Sequence, residues 1–224
     1  MFREKQKMTD ERFYELTCYE RELRAKGYRL LAGVDEAGRG PLAGPVAAGC
    51  VIFPEDCELP RADDSKKLSA GRRNELFDEI RAKALGWGVG LADNEEIDRV
   101  NILQATYAAM RRAIAAAAER AGGRGPDILL VDHVHIPEVG TEQFSLTHGD
   151  ALSVTIGAAS ILAKVTRDRI MEEYDSIYPG YGFAGHKGYG TAMHYKAIKE
   201  LGLCPIHRRT FLKKILEEEQ KNES

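Results

Sequence analysis

Short apolar runs and longer amphipathic stretches follow one another along this chain. From about Met8 to Lys26, Phe13, Leu16, Tyr19 and Leu23 recur near one face, which predicts an N-terminal helix. Leu30–Val34 is a short apolar run ending at Asp35, and Pro45–Phe53 is a second. The glycine-rich stretch Gly38–Gly44 turns the chain back between them, so the runs predict an antiparallel strand pair. A polar loop, Asp63–Leu68, precedes a helix from about Ser69 to Leu85. Trp87–Ala92 alternates with glycines and reads as a third strand.

An alanine-rich helix is expected from about Asn94 to Ala121, with Ile102, Ala105, Ala109 and Ala113 along one side. Small residues there allow close approach to a sheet, and Gly122-Gly123 ends it. Asp127–Val131 reads as a buried strand ending at Asp132, and Gln143–Thr147 as another that runs into Gly149-Asp150. The helical period returns from Ser153, a plausible N-cap, to about Tyr174. Its stripe is Ile156, Ala159, Ala163, Thr166 and Ile170. Residues 178–190 read as a glycine- and tyrosine-rich loop, followed by a short helix, Pro205 and a terminal helix from about Thr210.

This order predicts an α/β fold, a mixed sheet flanked by helices with antiparallel strands first and parallel crossovers later. At 224 residues the chain suits one domain with a small appendage. The expected divisions are an N-terminal helical appendage over 1–27, a main domain over 28–216 with C-terminal helices, and a polar, frayed tail over 217–224.

Composition narrows the picture. With 43% hydrophobic and 30% charged residues, the chain can bury a core and remain water-soluble. No run of about 18 apolar residues suggests a membrane span. The charged N-terminus lacks the apolar centre of a secretory signal. Cys18, Cys50, Cys57 and Cys204 form no CxxC pair and no zinc spacing. Cys50 reads as a buried small hydrophobe, and a reducing cytoplasm is the simplest setting. The net charge of −3 argues mildly against a polyanionic partner, because proteins that hold nucleic acid by charge alone carry a basic excess.

The candidate chemistry is acidic. Asp35, Asp132 and Asp150 each lie at or just after the carboxyl end of an apolar strand, and Glu36 adjoins Asp35. In open α/β sheets ligands bind beyond those ends, so parallel neighbours would bring the carboxylates together. Crowded carboxylates cannot all ionise cheaply unless divalent cations neutralise them. Hard oxygen ligands suit Mg²⁺ or Mn²⁺ rather than zinc. Two such ions about 4 Å apart can clamp an in-line phosphoryl displacement. An Asp after a strand is also an ordinary turn or cap residue, and several metal-dependent phosphotransfer enzymes fit this pattern.

The segment GVDEAGRGPLAGPV, Gly33–Val46, resembles the signature of the ribonuclease HII family. Further matching segments follow in order. They are DSKKLS (Asp64–Ser69), NILQATYAAM (Asn101–Met110), Val131-Asp132, Gly149-Asp150, AASILAKVTRDRIM (Ala158–Met171), HKGYGT (His186–Thr191) and PIHRRTF (Pro205–Phe211). The resemblance covers roughly residues 28–215. It implies a ribonuclease H-like fold with a helical C-terminal extension. It also implies metal-dependent cleavage on the 5′ side of a ribonucleotide, leaving 3′-hydroxyl and 5′-phosphate ends. The expected partners are RNA–DNA hybrids and ribonucleotide-containing duplex DNA, and the expected role is ribonucleotide removal. By position, Asp35, Glu36, Asp132 and Asp150 match the four acidic catalytic and metal-binding residues.

Gly38-Arg39-Gly40 looks like the family's reader of the 2′-hydroxyl, the group that distinguishes RNA from DNA. Related type 3 enzymes typically carry GKG there, so Arg39 favours type 2. Tyr189 matches the tyrosine that stacks on the following deoxyribose. Ser65, Lys66 and Lys187 are candidate substrate contacts, with Arg208 and Arg209 as further phosphate holders. Asp168 lines up with Ser160 and Lys164 at helical spacing, as a support for the site or as an ordinary helix ion pair. Two positions depart from the family pattern: His133 where Gly is common, and His148 where Lys is common. Competing readings are another nuclease or transposase on the same fold, and a non-catalytic hybrid-binding module. The acidic C-terminus carries no clamp-binding peptide, and a monomer without an obligate protein partner is the default expectation.

Overall fold

The computed structural model describes residues 8–62, 65 and 68–213. Lys66, most of the DSKK segment and the polar tail lie outside the described residues. The elements run α1 (Asp10–Leu16), α2 (Cys18–Ala25), β1 (Leu31–Ala37), β2 (Val46–Phe53), α3 (Ala70–Lys83), β3 (Gly86–Ala92), α4 (Asn94–Val100) and α5 (Ile102–Arg120). They continue with β4 (Ile128–Asp132), β5 (Glu142–Leu146), a 3₁₀ turn (Gly149–Ala151), α6 (Val154–Ile177), α7 (Phe183–His186), α8 (Ala192–Leu201) and a 3₁₀ turn (Arg209–Phe211).

The five strands form one sheet in the order β3-β2-β1-β4-β5. β1 runs antiparallel to β2 and parallel to β4, and β4 runs parallel to β5. This is the mixed sheet that the strand order predicts. Alternation along β2 divides its residues between two layers. Val46, Ala48, Cys50 and Ile52 enter the core beneath α5, whereas Val51 and Phe53 pack with α3 and α6 on the other face. The alanine stripe of α5 meets a glycine stripe on β3. A Cβ added at Gly86, Gly88 or Gly90 would stand 2.1, 2.3 or 2.0 Å from the carbonyl oxygens of Ala117, Ala113 and Ala109. Only glycine permits so close an approach of helix to strand.

Several expected elements are subdivided. The single helix expected over Met8–Lys26 is two, because Thr17 leaves helical geometry and its hydroxyl donates back to the carbonyls of Phe13 and Tyr14. The long helix expected over Asn94–Ala121 breaks at Asn101, which has φ 69° and caps α5 by accepting from the amides of Leu103 and Gln104. The loop expected over 178–190 contains α7; of the terminal helix expected from Thr210, the described residues show a 3₁₀ turn at Arg209–Phe211, and its course past residue 213 lies outside them. Ser153 does cap α6, accepting from the Ile156 amide. Buried Leu16 and Leu23 join the two N-terminal helices to the sheet's cores. Among the described residues no helix is long and apolar enough to cross a membrane.

Candidate active site

Val34 pairs with Val131 across the parallel strands, so Asp35 and Asp132 stand at the next position of neighbouring strands. Side-chain alternation fixes the face they share. Ala32, Val34, Leu129 and Val131 point into the core beneath α5. Leu31, Ile128 and Leu130 pack with Ile156 of α6 on the opposite side. Asp35 and Asp132 continue that second set and face α6. Glu36 follows at the strand end, with Arg39 Nη1 3.4 Å from its Oε1.

Asp35 is only 4% exposed, and its carboxyl titrates well above the usual carboxylate range. Burial is the main cause, and the charges of Glu36 and Asp132 add to it. A hydrogen bond from Ser160 and one from the Glu36 amide (2.7 Å) partly offset the rise. Glu36 is also raised, by burial first; Arg39 opposes that rise and Asp132 adds to it. Asp132 Oδ1 accepts the Gly149 amide at 2.6 Å.

These three acids open onto a cleft of about 350 Å³. Gly38, Arg39, Gly40 and Tyr189 line its other side, and Ser65, Ser160, Lys164 and Arg167 complete it. Gly38 has φ 90°, and a Cβ there would lie 2.0 Å from Arg167 Nε, so only glycine fits. Gly40 borders the Tyr189 ring, which is 46% exposed.

The ribonuclease HII family model matches residues 32–214. The chain belongs to the ribonuclease HII family. The ribonuclease HII of Clostridioides difficile is 52% identical over 207 residues, covering 92% of this chain and 79% of that protein. That of Geobacter sulfurreducens is 55% identical over 193 residues, covering 86% and 87%. The solved ribonuclease H2 of Pyrococcus horikoshii OT3 superposes with a TM-score of 0.68 at 29% identity, covering 86% of this chain and 99% of the other. The chain is thus a ribonuclease H of the HII family, an endonuclease that cuts the RNA of RNA–DNA hybrids.

Against that family background, not every expected site residue reaches the cleft. Asp150 is buried on the 3₁₀ turn after β5 and is not part of the cleft wall. Its neighbour Gly149 holds Asp132, which ties the turn to the site. Ser65 is buried with its hydroxyl 3.0 Å from that of Ser160, the residue that bonds Asp35. Lys187 is occupied by Glu172 at 2.7 Å and does not line the cleft. Asp168 pairs with Lys164 at 2.7 Å, so it bears on the cleft through that lysine.

The reading of Arg208 as a phosphate holder is corrected. Its side chain is fully buried and spends its donors on the carbonyls of Gly38, Arg39 and Gly44. The amide of Arg209 donates to Asp98 on α4. Arg167 is the cleft residue that sequence reasoning missed. With Ser160 and Lys164 it forms an i, i+4, i+7 series on α6, the spacing that could have found it.

The donor set fits a hard divalent cation. Three carboxylates and no thiol or imidazole border the cleft. Among the described residues no three such groups stand close enough to make a ready-formed cage.

Proposed function

We propose that this enzyme cuts the phosphodiester on the 5′ side of a ribonucleotide embedded in duplex DNA, as well as the RNA strand of long hybrids. The products carry 3′-hydroxyl and 5′-phosphate ends. The observation that carries this reading is one cleft with carboxylates on one side and Gly38-Arg39-Gly40 and Tyr189 on the other. Carboxylates alone would suit many phosphoryl-transfer enzymes. A backbone-rich loop close to them suits the recognition of a sugar hydroxyl.

Asp35, Glu36 and Asp132 would hold Mg²⁺ or Mn²⁺, with Asp150 as a fourth ligand from the adjacent turn. Bound divalent ions supply an activated water and stabilise the leaving oxygen of an in-line displacement. The chain's own residues do the rest. Ser160 and the Glu36 amide hold the Asp35 carboxylate in orientation. The Gly38–Gly40 backbone meets the ribose, and Tyr189 packs on the deoxyribose that follows. Lys164 brings a positive charge to the wall where a phosphate would lie. The biological task is removal of ribonucleotides from DNA.

The test is a labelled DNA duplex holding one ribonucleotide, incubated with and without Mg²⁺ or Mn²⁺, with the cut mapped. Metal-dependent cleavage 5′ of that ribonucleotide is expected. Cutting only of long hybrids would instead indicate type 1- or type 3-like specificity. Binding without cutting would leave a non-catalytic module.

A further inference from the structure

Two arginines are buried beneath the loop that joins β1 to β2. Arg208 is 0% exposed and Arg167 is 1% exposed. A buried guanidinium is costly unless its donors are satisfied. Arg208 spends its fork on one stretch of backbone: Nη2 donates to Gly38 O at 2.7 Å, Nη1 to Arg39 O at 2.8 Å and Nε to Gly44 O at 2.9 Å. Arg167 holds the far end of the same loop and a second one. Its Nε donates to Pro45 O at 2.9 Å, Nη2 to Ala43 O at 3.2 Å and Nη1 to Lys187 O at 3.0 Å. Burial and the Arg167 charge push Arg208 down to about 9, which still leaves it protonated at neutral pH.

Peptide planarity turns these contacts into a directional statement. In a trans peptide the C=O and the next N–H point in opposite directions, and none of the described peptide bonds is cis. The carbonyls of Gly38 and Arg39 point inward to Arg208. The N–H groups of Arg39 and Gly40, which share those peptide planes, therefore point outward, on the side where Gly38, Arg39 and Gly40 line the cleft. Among the described residues neither N–H has an acceptor. Successive N–H groups presented this way form a concave donor site for an electronegative oxygen. A cation on the carbonyl side of each plane polarises the peptide and strengthens the donors.

We propose that Arg208 is a positioning residue for ribose recognition, fixing the Gly38–Gly40 peptides so that the Arg39 and Gly40 amides donate to the 2′-oxygen of the ribonucleotide. This rests on the functional reading above and adds the residue that sets its specificity. Arg208 touches no substrate itself. Lysine could keep its charge but not the planar fork that engages two adjacent carbonyls. A site built to hydrogen-bond a hydroxyl rejects an analogue that cannot take part in that bond, and a misaligned donor pair loses that selectivity.

The experiment compares wild type, Arg208→Lys and Arg208→Ala on duplexes holding a single ribonucleotide or its 2′-fluoro analogue, a poor acceptor. The readouts are kcat and KM for each, with folding checked by thermal melts. For wild type a large preference for the hydroxyl is expected. In both variants kcat on the ribonucleotide should fall at least ~30-fold with KM changed no more than ~3-fold, and the hydroxyl preference should shrink at least ~10-fold, as coupled groups do. Millimolar guanidinium should restore part of the kcat of Arg208→Ala but none of that of Arg208→Lys. If Arg208→Ala does not fold, Arg208→Lys reads the same preference. An undiminished hydroxyl preference in a folded variant overturns the proposal. Failure of wild type to cut either duplex, with hybrids still cleaved, overturns the functional reading beneath it as well.

Discussion

The two walls of the cleft are built on opposite principles. On the sheet side, Asp35, Glu36 and Asp132 crowd like charges into a buried place, and the Asp35 and Glu36 carboxyls titrate above their usual range, by burial first and by their neighbours' charge second. On the loop side, the donors of Arg167, Arg208 and a set of histidines meet carbonyl oxygens and ring nitrogens. There the Cys204 amide donates to His207 Nδ1 at 2.9 Å, His207 and His194 share a 3.0 Å bond, and His194 Nδ1 lies 3.0 Å from Tyr189 O. One wall is electrostatically frustrated, a state that a bound cation would relieve. In the other, the buried arginines and histidines are satisfied without any ligand, which leaves the Arg39 and Gly40 amides as its open donors among the described residues. In the proposed function, chemistry would fall on the wall that costs stability and recognition on the wall held by buried arginines.

The largest effect should come from removing charge on the frustrated wall. Asp35→Asn keeps the shape and the acceptor oxygen but removes one charge. Cleavage should fall roughly a thousandfold or more, about 4 kcal/mol in the barrier. In EDTA near neutral pH the same variant should melt higher than wild type, because a buried carboxylate held above its usual range is a constant cost once ionised. A gain of about 1 kcal/mol corresponds to ~2–4 °C for a chain of this size. Mg²⁺ should raise the melting temperature of wild type more than that of the variant. Equal melting temperatures in EDTA would remove the frustration from the comparison.

Tyr189→Ala tests the satisfied wall. The tyrosine carbonyl is held by His194, while its ring lies beside Gly40 and faces solvent. Losing the ring should lower kcat/KM on a single embedded ribonucleotide roughly tenfold to a hundredfold, the scale of misplacing a reacting group by about an ångström. Long hybrids, gripped over many phosphates, should lose only a few-fold. Equal losses on both substrates would count against a junction-reading role.

How much of this was legible in the sequence follows the same division. The acid wall was, because an apolar run ending in Asp is a local pattern, and the pairing of β1 with β4 then needs only parallel neighbours. Asp150 was legible as an acid near the site but not as one buried on the turn whose Gly149 amide holds Asp132. That depends on a left-handed His148, φ 59°, leading into a 3₁₀ turn. The satisfied wall was largely illegible. An arginine near a C-terminal basic block reads as a surface charge, and only tertiary structure brings three carbonyls around Arg208. The break at Asn101 was hidden for a related reason: a positive-φ cap leaves no mark on an alanine-rich periodicity.

The walls should also answer acid in opposite senses. Burial lowers His194 to about 4 and lowers His207 as well, so both are neutral in the fold. As pH falls below the ordinary histidine value of 6.5, the unfolded chain takes up protons that folded His194 refuses until about 4. Stability is therefore intact above about 6.5 and is lost as pH falls toward 4, by at most about 1.4 kcal/mol per pH unit for each histidine. The raised carboxylates act in reverse, since the folded state binds their protons first. His194→Gln should flatten the decline in melting temperature between pH 7 and 4. An unchanged slope would place the acid sensitivity elsewhere.

The smallest effect concerns strain next to Asp132. His133 has φ 59°, and the Val134 amide donates back to the Asp132 carbonyl at 2.7 Å, closing a three-residue turn around a left-handed residue. Such a turn is unfavourable for a side chain with a Cβ, by roughly 1–2 kcal/mol. Glycine relieves that cost, but about 0.5–1 kcal/mol returns through its greater freedom when unfolded. His133→Gly should therefore raise stability by no more than about 1.5 kcal/mol, whereas His133→Ala should lower it, because alanine keeps the Cβ and loses the polar group that helps histidine tolerate this region. Denaturant melts of the three proteins should rank Gly above His above Ala. If Ala and Gly are equal, the turn stores no strain, and the frustration of the acid wall is purely electrostatic.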